Sequence, residues 1–354
     1  MKIDYSKSSF FQFFCKFYPR GAKVDWKRLG VLLGLLLCLC GCAHRQLTET
    51  TFFAMDTVIR LQADGSQEDL EQARAELERL DRLLSIEGAD SEIARVNRDG
   101  GGTVSQETAD LLQRALDLSR ATGGAYDYTI EPVVDLWGWY GGDPAVPDPE
   151  ALEQALSLVD YEAVTLDGGT VSFGTDGMGM DLGGIAKGYA AGRAAEILKE
   201  VGVTSACLSL GGNIRVMGTK PGGSHWTIGI TDPQDPANYI LTLSVSDCAV
   251  VTSGGYHRYF EEDGQRWHHI LDPDTGYPAG NGLASVTIVA EDDTLADGLS
   301  TALFVMGLED AADFWQSGAY AFEAVFILED GRVFATEGLE GRLACDTDIT
   351  ILTR

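Results

Sequence analysis

The segment that constrains the fold most is residues 181–190, with the sequence DLGGIAKGYA. It follows a β-like run and a glycine-rich bend, and it is predicted to open a helix that ends near Val201. Gly183 and Gly184 allow a ligand to approach the backbone closely, because they have no side chains. The first amides of the helix lack internal partners and attract anions, and Lys187 adds a positive charge one turn in. The pattern suits a phosphorylated ligand with a metal nearby, and a tight strand-to-helix junction with a solvated lysine is the alternative interpretation.

The first forty residues have the pattern of a targeting segment. Basic residues precede an apolar run over residues 29–40, whose 12 residues fall short of the roughly 20 that a spanning helix needs. The run ends in the sequence LCGC, which resembles a bacterial lipobox with Cys42 as the lipidated residue. We therefore expect a lipoprotein signal peptide at residues 1–41, a tether at residues 42–50, and a lipid-anchored protein on the extracytoplasmic side of the bacterial cell membrane. An ordinary secretory signal or an uncleaved anchor is the alternative.

The remaining residues, 51–354, are predicted to form a single domain of the α+β class. Helical periodicity follows a capping-box sequence at Ser66 and recurs over residues 105–121 and 294–306. From residue 206 onward most segments have the pattern of β-strands, and short turns join them as hairpins. Because helices and hairpins occur in separate runs, we expect antiparallel sheets flanked by helices rather than a doubly wound parallel sheet.

The charge of the chain excludes one class of partner. The chain has 54 acidic and 26 basic residues, a net charge of −28, so it repels nucleic acid and no nucleic-acid partner is expected. The acidic residues are spread along the chain, which is typical of a solvated surface. Beyond the lipobox, Cys207, Cys248 and Cys345 are far apart and have no zinc-binding spacing, so we expect them to be structural.

Asp297 and Thr301 form the pair best suited to metal binding. They are four residues apart in a predicted helix and therefore share a face, whereas the opposite face is apolar. A carboxylate and a hydroxyl group are hard oxygen ligands of the kind that Mg²⁺ accepts. The alternative is structural, because an aspartate near a helix N-terminus complements the helix dipole and a threonine can bond to its own backbone.

Three further stretches combine polar groups with glycines, turns or aromatic rings. His269 lies on a strand predicted over residues 267–271 that leads into a turn, where a histidine can act as an acid, a base or a ligand, although a structural histidine is equally common. Tyr256 and Arg258 follow two glycines and suit a polar ligand. The aromatic residues within 126–139 could flank a flat ring that donates hydrogen bonds to Asp127, while each aromatic residue by itself is more typical of a core.

Taken together, these stretches resemble the FAD:protein FMN transferase family, also called the ApbE or flavin transferase family. The resemblance runs from about Thr51 to about Phe304. It rests on seven motifs in the family's order: AMDT at residues 54–57, AYDYT at 125–129 with WG at 137–138, DLGGIAKGY at 181–189, LGGN at 210–213, SGGY at 253–256, HILDPDTG at 269–276 and ADGLST at 296–301. Each motif alone is common, but seven in order behind a lipoprotein leader are specific.

The resemblance implies a role for each matching residue. The residues that would contact FAD are Met55, Ala125, Tyr126, Asp127, Asp181, Lys187, His269 and Ile270. The residues that would hold or adjoin a magnesium ion are Gly184 through its carbonyl group, Asp297, Ser300 and Thr301. Lys187 and magnesium would neutralise the diphosphate of FAD, and Asp297 or His269 would accept the proton of the attacking hydroxyl group.

The implied reaction is a magnesium-dependent transfer of FMN from FAD to a threonine hydroxyl of a target flavoprotein, with release of AMP. The implied partners are extracytoplasmic flavin-accepting subunits of Rnf- or Nqr-type redox complexes, or related flavoproteins. Two alternatives stay open. One is a magnesium-dependent pyrophosphatase that converts FAD to FMN and AMP, and the other is a lipid-anchored flavin-binding protein that performs no chemistry.

Two positions depart from a simple match to the family or to a regular helix. The first motif usually has a glycine where this chain has Asp56, and the opening strand predicted over residues 51–62 is interrupted there. Gly298 lies inside the helix that is predicted to carry the metal ligands, where a glycine costs about 0.5–1 kcal/mol relative to alanine. Both positions bear on the backbone geometry of the predicted site.

Overall fold

The first strand begins close to the start of the part of the chain that can be described. The computed structural model describes residues 47–354, so the predicted signal peptide, the lipidation site at Cys42 and the first part of the tether lie outside the described residues. The tether predicted over residues 42–50 is wrong at its end, because Thr48–Ala54 is a strand paired with Thr57–Ala63. No helix within residues 47–354 is long and apolar enough to cross a membrane.

Seventeen strands are present in the described residues. In chain order they are β1 Thr48–Ala54, β2 Thr57–Ala63, β3 Gly101–Thr103, β4 Val164–Asp167, β5 Thr170–Phe173, β6 Ala206–Leu210, β7 Asn213–Met217, β8 Trp226–Asp232, β9 Asp235–Val245, β10 Cys248–Gly254, β11 Tyr259–Glu262, β12 Gln265–His268, β13 Leu283–Ala290, β14 Glu323–Leu328, β15 Val333–Thr336, β16 Leu343–Cys345 and β17 Ile349–Leu352.

Seven α-helices accompany these strands in residues 47–354. They are α1 Gln67–Leu84, α2 Glu92–Asp99, α3 Gln106–Ala121, α4 Glu131–Leu136, α5 Pro149–Leu156, α6 Ala186–Glu200 and α7 Asp293–Ser317. The predicted capping box is confirmed at α1, because the Ser66 hydroxyl accepts from the Asp69 N–H at 3.2 Å and the Asp69 carboxylate accepts from the Ser66 N–H at 2.7 Å. Such a cap satisfies two helix-end N–H groups and contributes about 1 kcal/mol.

The strands form one large sheet and three small ones. The large sheet has nine strands in the order β1-β2-β6-β7-β10-β13-β14-β15-β17. All its neighbouring pairs are antiparallel except the parallel pair β15–β17. The small sheets are β16-β9-β8, β3-β5-β4 and β11-β12. The predicted α+β class, with antiparallel sheets flanked by helices, is confirmed.

The central strands of the large sheet are buried on both faces. On β10, Ala249 and Val251 pack into the main core beneath the helices, whereas Cys248 and Val250 pack into a second core against β8 and β9. Alternation along a strand sends successive side chains to opposite faces, so one strand serves both cores. Each large apolar side chain that is fully buried in this way stabilises the fold by about 1.5–3 kcal/mol.

The opening strand predicted over residues 51–62 is instead the hairpin β1–β2. Met55 and Asp56 form its two-residue turn, and their φ angles of 52° and 56° both lie in the left-handed region. Two-residue hairpin turns of this kind favour glycine, asparagine and aspartate, because these residues tolerate positive φ best. Asp56 can therefore replace the usual glycine of the motif while the chain still reverses direction.

Helix α7 consists of two helical runs that meet at Gly307, whose φ of 82° and ψ of 173° are not helical. This confirms the helix predicted over residues 294–306, and a second helical run follows it. Gly298, in the first run, has a packing role, because a methyl group there would overlap the Leu118 side chain of α3. The glycine thus lets α7 approach α3 closely at the level of the predicted metal ligands.

Candidate active site

A cavity of about 620 Å³ opens where the β1–β2 and β6–β7 turns approach the start of α6. Within the described residues, every residue predicted to contact FAD or magnesium, except Ser300, lines it. The predicted residues in the lining are Met55, Ala125, Tyr126, Asp127, Asp181, Gly184, Lys187, His269, Ile270, Asp297 and Thr301. Residues that are up to 246 positions apart in the chain are therefore brought to one recess.

The floor of the cavity is the contact between α6 and α7. The N–H of Gly188 donates to Oδ2 of Asp297 at 2.7 Å, and a methyl group on Gly188 would lie 2.6 Å from Cβ of Asp297. Asp297 is only 3% exposed, and within residues 47–354 it has no ion-pair partner. A buried carboxylate without a neutralising cation is costly, so this position favours the arrival of a positive charge from a ligand.

Oxygen atoms of three kinds lie together at this contact. A methyl group on Gly184 would lie 3.4 Å from Oγ1 of Thr301, and one on Gly298 would lie 3.9 Å from the Gly184 carbonyl oxygen. The Asp297 carboxylate, the Thr301 hydroxyl and the Gly184 carbonyl group are all hard donors, the type that Mg²⁺ prefers. The described residues contain no group of three or more His, Cys, Asp or Glu side chains that could hold a metal ion by themselves, so any ion held here would also need ligand or water oxygens.

Ser300 lies behind this set rather than in the cavity lining. It is fully buried, its hydroxyl donates to the Asp297 carbonyl oxygen at 2.8 Å, and its Oγ lies 2.8 Å from Oγ of Ser253. These bonds tie the first turns of α7 to the end of β10. The hydroxyl of Ser300 therefore positions the helix turn that presents Asp297 and Thr301.

Lys187 and Asp181 flank the start of α6. The ammonium group of Lys187 donates to the Gly183 carbonyl oxygen at 2.8 Å, and the helix has no side-chain cap at its N-terminus. The Asp181 carboxylate accepts from the Gly183 N–H at 2.7 Å and from the Tyr140 hydroxyl at 3.3 Å. Burial raises the pKa of Asp181, and these hydrogen bonds together with the positive charge of Lys187 oppose the rise.

Tyr126 and Asp127 form another wall of the cavity. The Tyr126 hydroxyl is buried and has no hydrogen-bond partner within the described residues, although the charges of Asp181 and Asp297 lie near it. Burial also raises the pKa of Asp127, which accepts from the Thr129 N–H at 2.8 Å and from its hydroxyl at 2.6 Å. A buried hydroxyl group without a partner is rare, and it fits a polar ligand that completes the site.

His269 follows the end of β12, because that strand stops at His268 rather than continuing to residue 271 as predicted. Its Nδ1 lies 3.2 Å from the Arg258 carbonyl oxygen. Burial lowers the pKa of His269 to about 3, and the nearby positive charges of Lys187 and Arg258 act in the same direction. The imidazole is therefore neutral at pH 7.

The family model for the ApbE family matches residues 55–326. The chain belongs to the ApbE family. The FAD:protein FMN transferase of Treponema pallidum (strain Nichols) is 36% identical to it over 351 residues, which cover 90% of this chain and 96% of the relative. The enzyme of the same name from Klebsiella pneumoniae (strain 342) is 39% identical over 241 residues, covering 66% of this chain and 74% of the relative.

Solved structures of ApbE proteins share the fold. The ApbE protein of Thermotoga maritima superposes with a TM-score of 0.78 and 35% identity, covering 84% of this chain and 99% of that chain. The flavinyl transferase ApbE of Pseudomonas stutzeri, in its apo form, gives a TM-score of 0.74 and 30% identity, covering 84% of this chain and 96% of that chain. The cavity of this ApbE-family chain is thus built on a framework common to both.

The sequence predicts a polar ligand near Arg258, a further residue of this ApbE-family cavity, but assigns this residue no specific role. Arg258, noted for its place after two glycines, lines the cavity, whereas Tyr256 does not. The Arg258 guanidinium carbon lies 5.7 Å from the ring centroid of Trp139 and 5.2 Å from that of Tyr140, and it donates to the Trp139 carbonyl oxygen. One lysine, Lys187, and one arginine, Arg258, line the cavity within the described residues, so both can bind an anionic ligand.

The acidic rim of the cavity was not predicted at all. Asp81 lies near the end of α1, Glu87 lies in the loop that follows, and Asp56 lies in the β1–β2 turn; all three line the mouth. Asp56 and Glu87 are exposed and Asp81 is half-buried. No local pattern identifies such residues, because only the packing of α1 against β1 and β2 brings them together.

Proposed function

We propose that this ApbE-family protein transfers the FMN moiety of FAD to a threonine hydroxyl of a target flavoprotein and releases AMP. The single observation that carries the proposal is the α6–α7 contact, where an unneutralised buried carboxylate, Asp297, lies beside Thr301, the Gly184 carbonyl group and the lysine that opens α6. This arrangement suits a ligand that combines a divalent cation with a diphosphate. Relatives that are named FAD:protein FMN transferase supply the identity of the diphosphate.

Magnesium is part of the proposal. Asp297, Thr301 and the Gly184 carbonyl group would hold it, with Ser300 keeping the helix turn in place. The burial of Asp297, which has no ion-pair partner within residues 47–354, supports this fit. When bound, the ion would neutralise negative charge that develops on the diphosphate, a contribution of several kcal/mol in metal-assisted reactions.

The protein's own groups position the two reactants. The proposed FAD contacts are Met55, Ala125, Tyr126, Asp127, Asp181, Lys187, His269 and Ile270. The acceptor hydroxyl oxygen attacks the phosphorus on the FMN side of the diphosphate, the bond from that phosphorus to the bridging oxygen breaks, and AMP leaves with the bridging oxygen. Lys187 stabilises the charge on the leaving phosphate, in the manner of other phosphoryl transfers, where positioning and electrostatics dominate.

The attacking hydroxyl group must lose its proton. A catalytic base works best when its pKa is near the operating pH, and His269 is a weak base because burial lowers its pKa to about 3. Of the two candidates we place the proton on Asp297: its Oδ2, which accepts from the Gly188 N–H, has a second lone pair for the proton, and its other oxygen is left for the magnesium ion. His269, neutral and bonded to the Arg258 carbonyl group, is left to hold FAD.

The setting of the reaction is likewise a proposal. We infer that Cys42 carries a lipid anchor, that residues 1–41 are removed, and that the protein acts at the extracytoplasmic face of the cell membrane. Its partners would then be flavin-accepting subunits of Rnf- or Nqr-type redox complexes, or related flavoproteins. Mass analysis of the mature N-terminus tests the anchor: a diacylated cysteine at position 42 supports it, and an unmodified N-terminus elsewhere contradicts it.

One reaction mixture separates the proposed transfer from its alternatives. The full chain is incubated with FAD, Mg²⁺ and a purified flavin-accepting subunit of an Nqr-type complex, and the products are analysed by in-gel flavin fluorescence and AMP release. Fluorescence on the acceptor supports transfer. AMP and free FMN without labelling of the acceptor would instead indicate a pyrophosphatase, and unchanged FAD under saturating Mg²⁺ would indicate a flavin-binding protein without chemistry.

A further inference from the structure

Two of the most exposed apolar side chains in the described residues are direct neighbours beside the cavity. Phe53 and Val58 are 69% and 61% exposed, and they face each other across the β1–β2 hairpin. Directly paired side chains lie on the same face of a sheet and within contact distance. Met55 and Asp56, which close this hairpin, line the cavity. An apolar patch therefore lies on the rim, next to the opening.

The other end of the same hairpin face is polar, and its side chains are hydrogen-bonded to one another. Arg60 donates to both oxygens of Glu49, at 2.8 and 2.7 Å, and Gln62 donates to the same carboxylate at 2.9 Å. The exposed face thus divides into a bonded polar half away from the cavity and an apolar half beside it. Adjacent exposed apolar groups at a functional opening mark an interaction site rather than ordinary surface.

The outer edge of β1 is also open within the described residues. β1 is the terminal strand of the nine-stranded sheet, so the backbone N–H and C=O groups on its outer side are not used by that sheet. Its sequence, TETTFFA, has neither a proline nor a lysine, which are the residues that commonly block such edges. An open edge of this kind can pair with an extended segment of another protein.

The rim beside the patch is acidic. Asp56 and Glu87 are exposed there, Asp81 is half-buried, and Lys187 and Arg258 are the only lysine or arginine in the described lining. A segment that approaches across this rim meets negative charge before it reaches those cations. Charge complementarity at an interface increases association rates and selects the partner, so the rim favours a segment with basic side chains.

We propose that Phe53, Val58 and the outer edge of β1 dock an extended basic segment of the flavin-accepting protein, and that this segment delivers the acceptor threonine to the cavity. The inference rests on the proposed function. One large apolar side chain of the segment packs on Phe53 and Val58. A strand rises about 3.3 Å per residue, so the threonine that reaches the turn at Asp56 lies about three or four residues from this apolar side chain.

The test compares the hairpin with a surface of equal exposure elsewhere. In the full chain, Phe53→Ser is combined with Val58→Thr, and the control is Tyr239→Ser, because Tyr239 is also 69% exposed but lies on β9, which contributes nothing to the cavity lining. The probe is the purified Nqr-type acceptor subunit. Transfer is measured as kcat and KM for the acceptor, alongside the Kd for FAD and the thermal unfolding midpoint.

The hairpin variant is expected to raise the KM for the acceptor at least tenfold, while kcat at saturating acceptor and the Kd for FAD stay within twofold of the wild-type values. The control is expected to leave all of them within twofold. An unchanged KM in a folded hairpin variant overturns the docking site. So does a variant that alters only sedimentation, because the patch would then join two copies of this chain. If the wild type binds FAD but labels no acceptor, the proposed function fails and the docking site fails with it.

Ionic strength tests the basic character of the segment separately. Exposed charge pairs are screened over about 8–10 Å at physiological salt. Raising KCl from about 50 to about 300 mM is expected to raise the KM of the wild type severalfold, and Glu87→Gln is expected to reduce that dependence. A KM that does not change with salt would contradict a basic segment, even where the apolar contact is confirmed.

Discussion

Helix α7 carries two buried carboxylates one turn apart, and their surroundings differ in where the balancing charge comes from. Asp293 is paired with Arg215, whose Nη1 lies 3.0 Å from the Asp293 Oδ2, and it lines a second cavity of about 760 Å³ on the far side of α6. Asp297 accepts one backbone N–H and has no cationic partner within the described residues. Both pack against Gly188 of α6.

The comparison separates stability from function on a single helix. Asp293 already has a cationic partner in Arg215, so its balancing charge comes from the chain itself rather than from a ligand. A buried carboxylate that has only a hydrogen bond within the protein is stabilised when a cation arrives. The two cations differ in the same way: Arg215 is paired with Asp293, whereas the Lys187 ammonium group bonds, as far as residues 47–354 show, only to the Gly183 carbonyl oxygen.

Replacing each carboxylate by its amide should give opposite results, and this is the largest effect expected. Asp297→Asn keeps an acceptor for the Gly188 N–H but removes the charge, so turnover should fall by about 10³-fold, equivalent to about 4 kcal/mol of transition-state stabilisation. Asp293→Asn is the matched control and should keep activity within about threefold. Steady-state assays of AMP release decide this, and equal losses in the two variants would remove the distinction between the carboxylates.

Replacing the two cations, Lys187 and Arg215, should likewise affect activity in one case and stability in the other. Lys187→Met should lower kcat/KM for FAD about 100-fold, because it removes one group that stabilises the leaving phosphate, with little effect on the unfolding midpoint. Arg215→Met should lower the free energy of unfolding by about 3 kcal/mol, because it leaves Asp293 buried without a partner. Paired kinetic and denaturant measurements test both. A Lys187 variant that loses stability but not activity would contradict the role proposed for it.

Two glycines on α6, one turn apart, test the packing of α6 against Asp293 and Asp297 of α7. A methyl group on Gly188 would overlap the Asp293 carbonyl oxygen and press on Cβ of Asp297, so Gly188→Ala should destabilise the fold by about 1–3 kcal/mol and reduce turnover. At Gly192 the nearest atom to a new methyl group is Oδ2 of Asp293 at 3.3 Å, so Gly192→Ala should change stability by less than about 1 kcal/mol. Urea unfolding of the two variants provides the measurement, and a Gly188→Ala variant as stable as the wild type would show that the α6–α7 contact is loose.

The pH dependence of stability gives the smallest expected effect. Burial raises the pKa of Asp293 to about 7, against about 4 in the unfolded chain, although Arg215 opposes the rise. Between these values the folded state binds the proton and the unfolded state does not, so this residue lowers the free energy of unfolding as the pH rises from about 4 to about 7. Asp293→Asn should remove at least about 1 kcal/mol of that decline. Identical pH profiles for the variant and the wild type would mean that the Asp293 pKa is close to its ordinary value.

Much of the chemistry of this site could be predicted from local sequence. Asp297 and Thr301 share a helix face whatever the fold, and glycines at 183 and 184 open the backbone at the start of α6. The family motifs then join segments that no periodicity connects, such as residues 125–129 and 269–276. A motif can predict site residues in this way because the local backbone geometry of each motif places its side chains, whatever the rest of the fold.

The rest depended on long-range packing. Helix α2, at Glu92–Asp99, was missed because it presents only Ile93 and Val96 to the core. Phe53 and Val58 fall within the single strand that the sequence predicts over residues 51–62, because a two-residue turn with aspartate gives a weaker signal than one with glycine. No local pattern predicts the acidic rim or the open outer edge of β1, since both result from the order of strands in the nine-stranded sheet.

The most direct test of the central claim is anomalous diffraction from a crystal of the full chain soaked with FAD and Mn²⁺. The unneutralised Asp297 carboxylate should attract the ion, so an anomalous peak is expected about 2–2.5 Å from its free oxygen, with the FAD diphosphate between the ion and the Lys187 ammonium group. A peak beside Asp293, or a diphosphate out of reach of both Lys187 and Asp297, would contradict the claim.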